Sequence, residues 1–536
     1  MGTMVTVGTV GMDGARRRSH WAWGYADEEP AAAELAATAE LMTAVTGFRL
    51  DGETEDPVPL DEVRLPEPRV EPPRLDWCTT DPYERITHTY GQAYRDLVRA
   101  FRGRFDSPPD VVARPRDEHE VMHVLEWAEN TGVAVVPYGG GTSVVGGVEP
   151  RDLGPVVSLD LTALDQILEI DPLSRAARIQ AGMLGPAIDR RLAEEGLTLR
   201  HYPQSYELST LGGWLATRAG GHFATMATHI DDHVESIRAV TPRGVWESRR
   251  LPGSGAGVSP DRMLLGSEGA LGVITEAWMR VRPRPDFRVS TAVTFPSFER
   301  GAEAVLAIAQ SGLYPANCRL LDPTEAWLTS GGDGTYALLM LAFESADHPV
   351  EALMDRALEL SRQCGGAWEE IQNGGGGEQG AGGQGGTWRN AFLRMPYLRN
   401  AYPAIGLVAE TFETAVTWDR FAAFHTEVIG AARDALHGGG IVTCRLAFAY
   451  PDGAAPYFTV LTPARRGAEI EQWDAIKRAA SEAILAAGGT ITHHHAVGRD
   501  HRPWYERQRP EPFAAALRGA KAAVDPAGIL NPGVLV

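Results

Sequence analysis

Between Val133 and Pro150 the chain reads Val-Ala-Val-Val-Pro-Tyr-Gly-Gly-Gly-Thr-Ser-Val-Val-Gly-Gly-Val-Glu-Pro. An apolar, β-branched run ending at Pro137 passes at once into Gly139, Gly140 and Gly141, then Thr142 and Ser143, then Gly146 and Gly147. A strand that stops in glycines lets its backbone N–H groups converge on one place with no Cβ in the way. That geometry suits an anion, most often a phosphate. Taken alone, the loop could also be a flexible turn between strands, although the anion-binding nest is the more recurrent use of this geometry. Two further stretches bear on the choice. The run Ser205 to Gly221 places Gly212 and Gly213 inside a helix that Ser209 or Thr210 can cap and Gly220 and Gly221 can end. Each inner glycine costs roughly 1 kcal/mol against alanine, so something should approach that face closely. The run Asp261 to Glu276 is punctuated by Gly266, Gly269 and Gly272 and leads into a strand. Three such segments in the first half indicate a long ligand threaded against backbone.

Known alternatives lack their signatures. No Gly-x-Gly-x-x-Gly follows a strand and opens a helix, and no Walker lysine follows the first loop. A net charge of -20 argues against nucleic acid, which needs a basic face. Four widely separated cysteines, Cys78, Cys318, Cys364 and Cys444, show no metal spacing and suggest reduced thiols. No apolar run is long enough to span a bilayer, Arg16 to Arg18 precede no signal-type apolar stretch, and the C-terminal residues are no organelle address. A cytoplasmic protein is expected.

The pattern along the chain is α+β. Met1 to Pro73 shows one helix, Ala31 to Met42, then an acidic, proline-rich extended stretch from Asp51. A helical pattern runs from Asp81 to about Phe105. Strands are expected at Val111 to Ala113, Val133 to Val136, Val156 to Leu159 and Ala176 to Ile179. Helices are expected from Asp117, with a capping box to Glu120, to Gly132 and over Gly185 to Glu195. A hairpin follows at Val234 to Glu247. After Pro285 strands and helices alternate twice in the same α+β order, through Val289 to Phe295, Ser297 to Gln310, Asn317 to Leu321, Tyr336 to Phe343 and Pro349 to Gln363, then Trp418 to Leu436, Ile441 to Tyr450, Tyr457 to Leu461, Glu469 to Ala487 and a strand Thr490 to His495. Between the two repeats, Gly374 to Gly386 reads as a flexible loop. A helix Arg507 to Ala523 and an extended tail from Asp525 close the chain.

Two sets of side chains could carry chemistry. On a strand, His493 and His495 would share one face and His494 the other. With no carboxylate or cysteine at ligand spacing, a metal is not expected there; packing and acid–base work both remain. Arg319, Arg445 and Tyr457 lie on expected strands, where a solvated or packing role is the commoner one.

At this point several segments resemble one superfamily. The loop Pro137-Tyr138-Gly139-Gly140-Gly141-Thr142-Ser143, the run Gln204-Ser205-Tyr206-Glu207-Leu208-Ser209-Thr210, the turn Thr217-Arg218-Ala219-Gly220 and the stretch Glu268-Gly269-Ala270-Leu271-Gly272-Val273-Ile274 are similar to the four FAD-contacting segments of vanillyl-alcohol-oxidase (PCMH-type) flavoproteins. Trp21 to Asp27, Cys318 to Asp322, Glu410 to Thr414, Thr443 to Arg445 and His493 to Arg499 resemble more narrowly the alkyldihydroxyacetonephosphate synthase family. The resemblance implies a PCMH-type two-subdomain FAD-binding domain at 106–285 and an α+β cap at 286–495 with a large antiparallel sheet of ferredoxin-like repeats. An N-terminal extension (1–105) would precede them, and residues 496–536 would return to the FAD domain. It implies FAD held non-covalently, since the first glycine loop has no histidine, in the four segments just named. Tyr457 and the run His493, His494 and His495 would be catalytic, and Arg445, Arg319 and Arg499 would hold substrate. The implied reaction exchanges the acyl chain of acyl-dihydroxyacetone phosphate for a long-chain alcohol, through an adduct at flavin N5 and without net redox change. Lipid-like small molecules would be the substrates, a homodimer the assembly, and a peripheral membrane contact stays open. Gln204 replaces an acidic residue of the family pattern, Ala496 a glycine and Arg499 a lysine. The competing implication is an FAD-linked oxidase or dehydrogenase of a 2-hydroxy acid, or a flavin-binding protein without turnover.

Overall fold

The computed structural model describes residues 3–4, 16–223, 225, 229–330, 332–369, 371–375, 393–437 and 439–536. Among the described residues, two larger sheets precede residue 285, beside the two-stranded pairs Thr3–Met4 with Arg64–Leu65 and Leu197–Thr198 with Arg282–Pro283. In the first, the parallel strands Val111–Ala113, Val156–Asp160 and Ala134–Tyr138 lie in that order, with Cys78–Thr79 antiparallel at one edge. The helix Glu118–Thr131 links the outer two and buries Val121, Val124, Leu125 and Ala128, the residues at helical spacing. Asp117 caps it through the Glu120 amide, but Glu120 turns its carboxylate to Arg116, so the capping box is only half formed. The second sheet is antiparallel, ordered Gly244–Glu247, Val234–Thr241, Val273–Arg280, Ala176–Gln180 and Ile167–Asp171. Its last strand, half exposed at an edge, had no clear apolar alternation in the sequence.

After residue 285 one antiparallel sheet takes over, ordered Gln372–Gly375, Phe287–Phe295, Ala337–Ser345, Asn317–Leu321, Ile441–Ala449, Gly453–Pro463 and Leu407–Glu413, with Val416–Thr417 also on Gly453–Pro463. The first four strands, with the helices Phe298–Gln310 and Glu351–Gln363, have the order 4-1-3-2 of a ferredoxin-like unit. The next three continue the pattern as 2-3-1, with the helices Trp418–Asp434 and Glu469–Ala486. The helices of both units bury one common core that includes Phe295, Leu339, Phe424, Phe458 and Trp473. The first unit ends in a strand at Gln372–Gly375, where a flexible loop was expected to begin. The remainder of that expected loop, 376–386, lies outside the described residues.

Several expectations are corrected. Thr490 to His495 is no strand but an irregular segment, so the second unit lacks its fourth strand and the face argument for the histidines falls. The helix expected over Arg507 to Ala523 forms as Glu511–Val524 with Pro510 at its N-cap, and a separate helix, Gly498–Gln508, precedes it. The helical run from Asp81 is also two, Pro82–Thr87 and Tyr94–Phe101. Within the acidic extended stretch, Val63 and Leu65 are buried against Trp21 and Phe101. The tail forms no strand, but Leu530 bridges Val135 in parallel, beside the strand that leads into the glycine loop.

Candidate active site

The strand Ala134–Tyr138 runs one residue past Pro137 and delivers Gly139–Gly141 into a large cleft. The glycines are needed here for a reason beyond ligand approach. A Cβ on Gly140 would fall on the carbonyl oxygen of Leu208, and one on Gly139 on the Thr210 hydroxyl. The first loop is thus pressed onto the second segment, and their backbones form one wall. Gly141 has φ +66°, a left-handed conformation open to glycine without strain.

Thr210 caps the short helix Leu211–Thr217 through the Gly213 amide. The helix ends at Arg218, itself left-handed at φ 54°, and not at Gly220 or Gly221. The close approach expected at its two glycines has two causes. A Cβ on Gly212 would stand 2.8 Å from that of Ala181, so this glycine lets the helix sit on the neighbouring chain. Gly213 lines the cleft, and its Cβ would meet protein no closer than 3.4 Å. A methyl there would occupy ligand space. A glycine-walled, hydroxyl-bearing cleft with this cradle fits a long dinucleotide such as FAD.

Of the expected cofactor residues, Pro137 to Ser143, Gln204, Ser205, Ser209, Thr210, Thr217, Ala219, Gly220, Glu268, Gly269, Gly272 and Ile274 line the cleft. The others stand behind it. Tyr206 stacks on Trp214, Glu207 accepts the Tyr397 hydroxyl at 2.8 Å, and Leu208 and Leu271 are in the core. Arg218 pairs with Asp231 at 2.8 Å, while Ala270 and Val273 are buried. Glu268 accepts the Val497 and Gly498 amides at 2.8 and 2.9 Å and so caps the helix Gly498–Gln508, although burial pushes its carboxyl up to about 7.

The opposite wall comes from the cap. Tyr457, Arg445, Arg319, His494 and His495 line the same cleft as the glycine loop. Arg445 lies under the Tyr457 ring at 3.9 Å and pairs with buried Glu325 at 2.6 Å. Arg319 is 1% exposed; burial and the neighbouring Arg445 pull its pKa down to about 9. Arg499 does not reach the lining. It donates to the carbonyls of Gly146 and Pro532, clipping the C-terminal segment to the glycine loop.

Glu413 organises the histidines. It lies opposite Tyr457 in the register of the edge strand. Its carboxylate accepts the amides of His493, His494 and His495 at 2.7, 3.1 and 2.9 Å and the Thr492 hydroxyl at 2.5 Å. Burial would raise its pKa, but the neighbouring imidazoles of His494, His495 and His493 hold it far below the usual carboxylate range. The sequence showed no carboxylate at ligand spacing from the histidines; the fold supplies this one. Oxygen and ring nitrogens of Glu413, His493 and His494 come within 4.8 Å of one another, but both oxygens are already occupied by hydrogen bonds. His493 is set back from the cleft, 2.7 Å from the Tyr450 hydroxyl, 3.1 Å from His229 and 3.1 Å from His494. His494 stacks on Tyr457 and His495 meets the same ring edge-on.

Sequence reasoning missed Glu413 as the anchor, and also Trp23, Thr411, Phe448, Arg399 and Asn531 in the lining. Trp23 and Thr411 fall in or beside quoted segments, so the resemblance pointed near them. Arg399 and Asn531 carry no local signal.

Residues 109–248 match the family described as FAD binding domain, and residues 284–535 the family described as FAD linked oxidases, C-terminal domain. The chain is 32% identical to the alkyldihydroxyacetonephosphate synthase of Trypanosoma brucei brucei over 88% of its own length and 82% of that protein's. It is 27% identical to a glycolate oxidase subunit of Bacillus subtilis over 80% of this chain and 89% of that one. Among solved structures, an alkyldihydroxyacetonephosphate synthase superposes with a TM-score of 0.77 at 25% identity, over 93% of this chain and 91% of that one.

Proposed function

Because this chain belongs to the alkyldihydroxyacetonephosphate synthase family, we propose that it exchanges the acyl chain of acyl-dihydroxyacetone phosphate for a long-chain alcohol, giving an ether-lipid precursor. It is an FAD-dependent enzyme of the PCMH-type fold. When bound, FAD would supply a nucleophilic ring nitrogen. The observation that carries the reading is the meeting of Tyr457, His494 and His495 with two buried arginines across the cleft from the glycine loop.

The residue roles are part of the proposal. The loop Pro137 to Ser143, with Gln204 to Thr210, Thr217 to Gly220 and Glu268 to Ile274, holds the flavin nucleotide, some by direct lining and the rest from behind. Tyr457 moves the proton at the carbon that changes partners, with His494 and His495 as its proton-exchanging neighbours. His493 holds His494 from behind. Arg445 and Arg319 face the phosphate end of the substrate, and Arg499 fastens the loop. The division at about 105, 285 and 495 follows the same logic: flavin on the first two sheets, substrate under the third, and a tail returning to the first. A homodimer, a cytoplasmic site and peripheral contact with lipid complete the proposal; sedimentation and vesicle flotation test the assembly and the lipid contact. No helix among the described residues is long and apolar enough to cross a membrane.

The test is incubation of the flavin-loaded protein with an acyl-dihydroxyacetone phosphate and hexadecanol. Ether product and free fatty acid, with the flavin colour retained at completion, are expected. Absence of ether together with bleaching by a 2-hydroxy acid such as glycolate would establish the competing oxidase reading, which the more distant Bacillus relative represents.

A further inference from the structure

Three guanidinium groups line the cleft, those of Arg319, Arg399 and Arg445. Two have partners within the protein. Arg445 is paired with Glu325 and stacked on Tyr457. Arg319 donates to the His222 carbonyl at 3.3 Å. Arg399 has a buried Nε with no hydrogen-bond partner, and no described residue forms an ion pair with its guanidinium. The carboxylate of Glu410, whose charge Arg399 feels, is held by Lys477 at 2.8 Å. The placement is fixed by the backbone. The next residue, Asn400, is 1% exposed and exchanges two hydrogen bonds with the main chain of Trp23, at 2.8 and 3.0 Å. Trp23 lines the cleft as well.

A partly buried guanidinium with no protein counter-ion calls for an anionic ligand. A phosphate monoester, which carries about -1.5 to -2 near neutral pH, is a ligand of that kind. Arg399 reaches the cleft from the cap side beside Pro396, away in sequence from the glycine loop.

We propose that Arg399 is a substrate-binding residue, the third arginine of the site, donating its planar fork to the phosphate of acyl-dihydroxyacetone phosphate. This rests on the reaction assigned above. The flavin's own phosphates are the other source of the same chemistry, and the test separates the two.

The FAD-loaded full chain is compared with Arg399→Gln and Arg399→Lys in three measurements: FAD content, KM for each substrate, and calorimetric binding of dihydroxyacetone phosphate. In Arg399→Gln the KM for acyl-dihydroxyacetone phosphate and the Kd for dihydroxyacetone phosphate should rise about ten- to a hundredfold, in keeping with loss of a charge-assisted hydrogen bond. FAD content and the KM for hexadecanol should not change. Arg399→Lys keeps the charge but loses the fork and should fall between. Unchanged KM and Kd with full FAD would overturn the assignment. So would loss of FAD with an unchanged Kd, which would make Arg399 a flavin anchor. If Arg399→Gln does not fold, an unchanged Kd in Arg399→Lys overturns it equally. If the wild type makes no ether but the Kd still weakens on substitution, the reaction assignment fails and the phosphate site stands.

Discussion

The two α+β units of the cap are built from the same order of strands and helices, and they finish differently. The first closes with Gln372–Gly375 paired to Phe287–Phe295. The second reaches the corresponding place with Thr490 to His495 and forms no ladder; the segment turns three consecutive amides onto one carboxylate, Glu413, at the end of its edge strand. A ladder would have sent alternate side chains to opposite faces. The carboxylate cage instead brings His494 and His495 together against Tyr457. The break in the repeat is where Tyr457 and the histidines meet, whereas the closed unit presents Arg319 to the cleft from a regular strand.

The comparison can be broken at several points. Removing the reactive hydroxyl should have the largest effect: Tyr457→Phe is expected to lower ether formation by about 10²- to 10⁴-fold while the flavin spectrum and content stay as in the wild type. A variant with retained turnover would remove Tyr457 from its role. Glu413→Gln comes next. The amide cannot accept all the hydrogen bonds now made, so turnover should fall about a hundredfold, and stability by about 3 kcal/mol, the scale for breaking a buried charged contact. Chemical denaturation and initial rates read the two losses separately. In the closed unit, Leu339→Ala should cost about 2–5 kcal/mol as a core truncation yet leave the rate per folded molecule within twofold; a large rate loss would mean that the packing of this core also controls the placement of Arg319 on the neighbouring strand.

The smallest expected effect concerns pH. Burial raises the Glu268 carboxyl to about 7. A group that holds its proton more tightly when folded contributes stability that is complete below its unfolded value, about 4.3, and is lost as pH rises through about 7. The unfolding midpoint of the wild type should therefore decline relative to Glu268→Gln across that window. Parallel profiles for the two proteins would show that Glu268 does not titrate there.

What the sequence disclosed divides along the same line. Glycine acts locally, so the strand-to-loop transition at Tyr138 and the capped helix after Thr210 were legible. So were most cap strands and helices, whose apolar residues keep a clear period. Which neighbour each glycine admits was not legible, because Leu208 meets Gly140 only once the chain has folded. Thr490, Ile491 and Thr492 have the composition of a strand, and propensity alone misplaces them; the tertiary carboxylate decides otherwise. Glu413 falls in the family-like segment Glu410 to Thr414, but nothing local marks it as the anchor of the histidines, and Arg399 has no local pattern at all. Their importance comes from what is opposite them: three amides for the one, and the substrate phosphate assigned above for the other.

The most direct test of this picture is amide hydrogen exchange at His493, His494 and His495. If Glu413 cages these N–H groups, an irregular segment should be protected to a degree comparable with the paired strand Gly453–Pro463, and that protection should disappear in Glu413→Gln while the strand's remains. Rapid exchange at the three histidines in the wild type, as in an ordinary loop, would contradict the account.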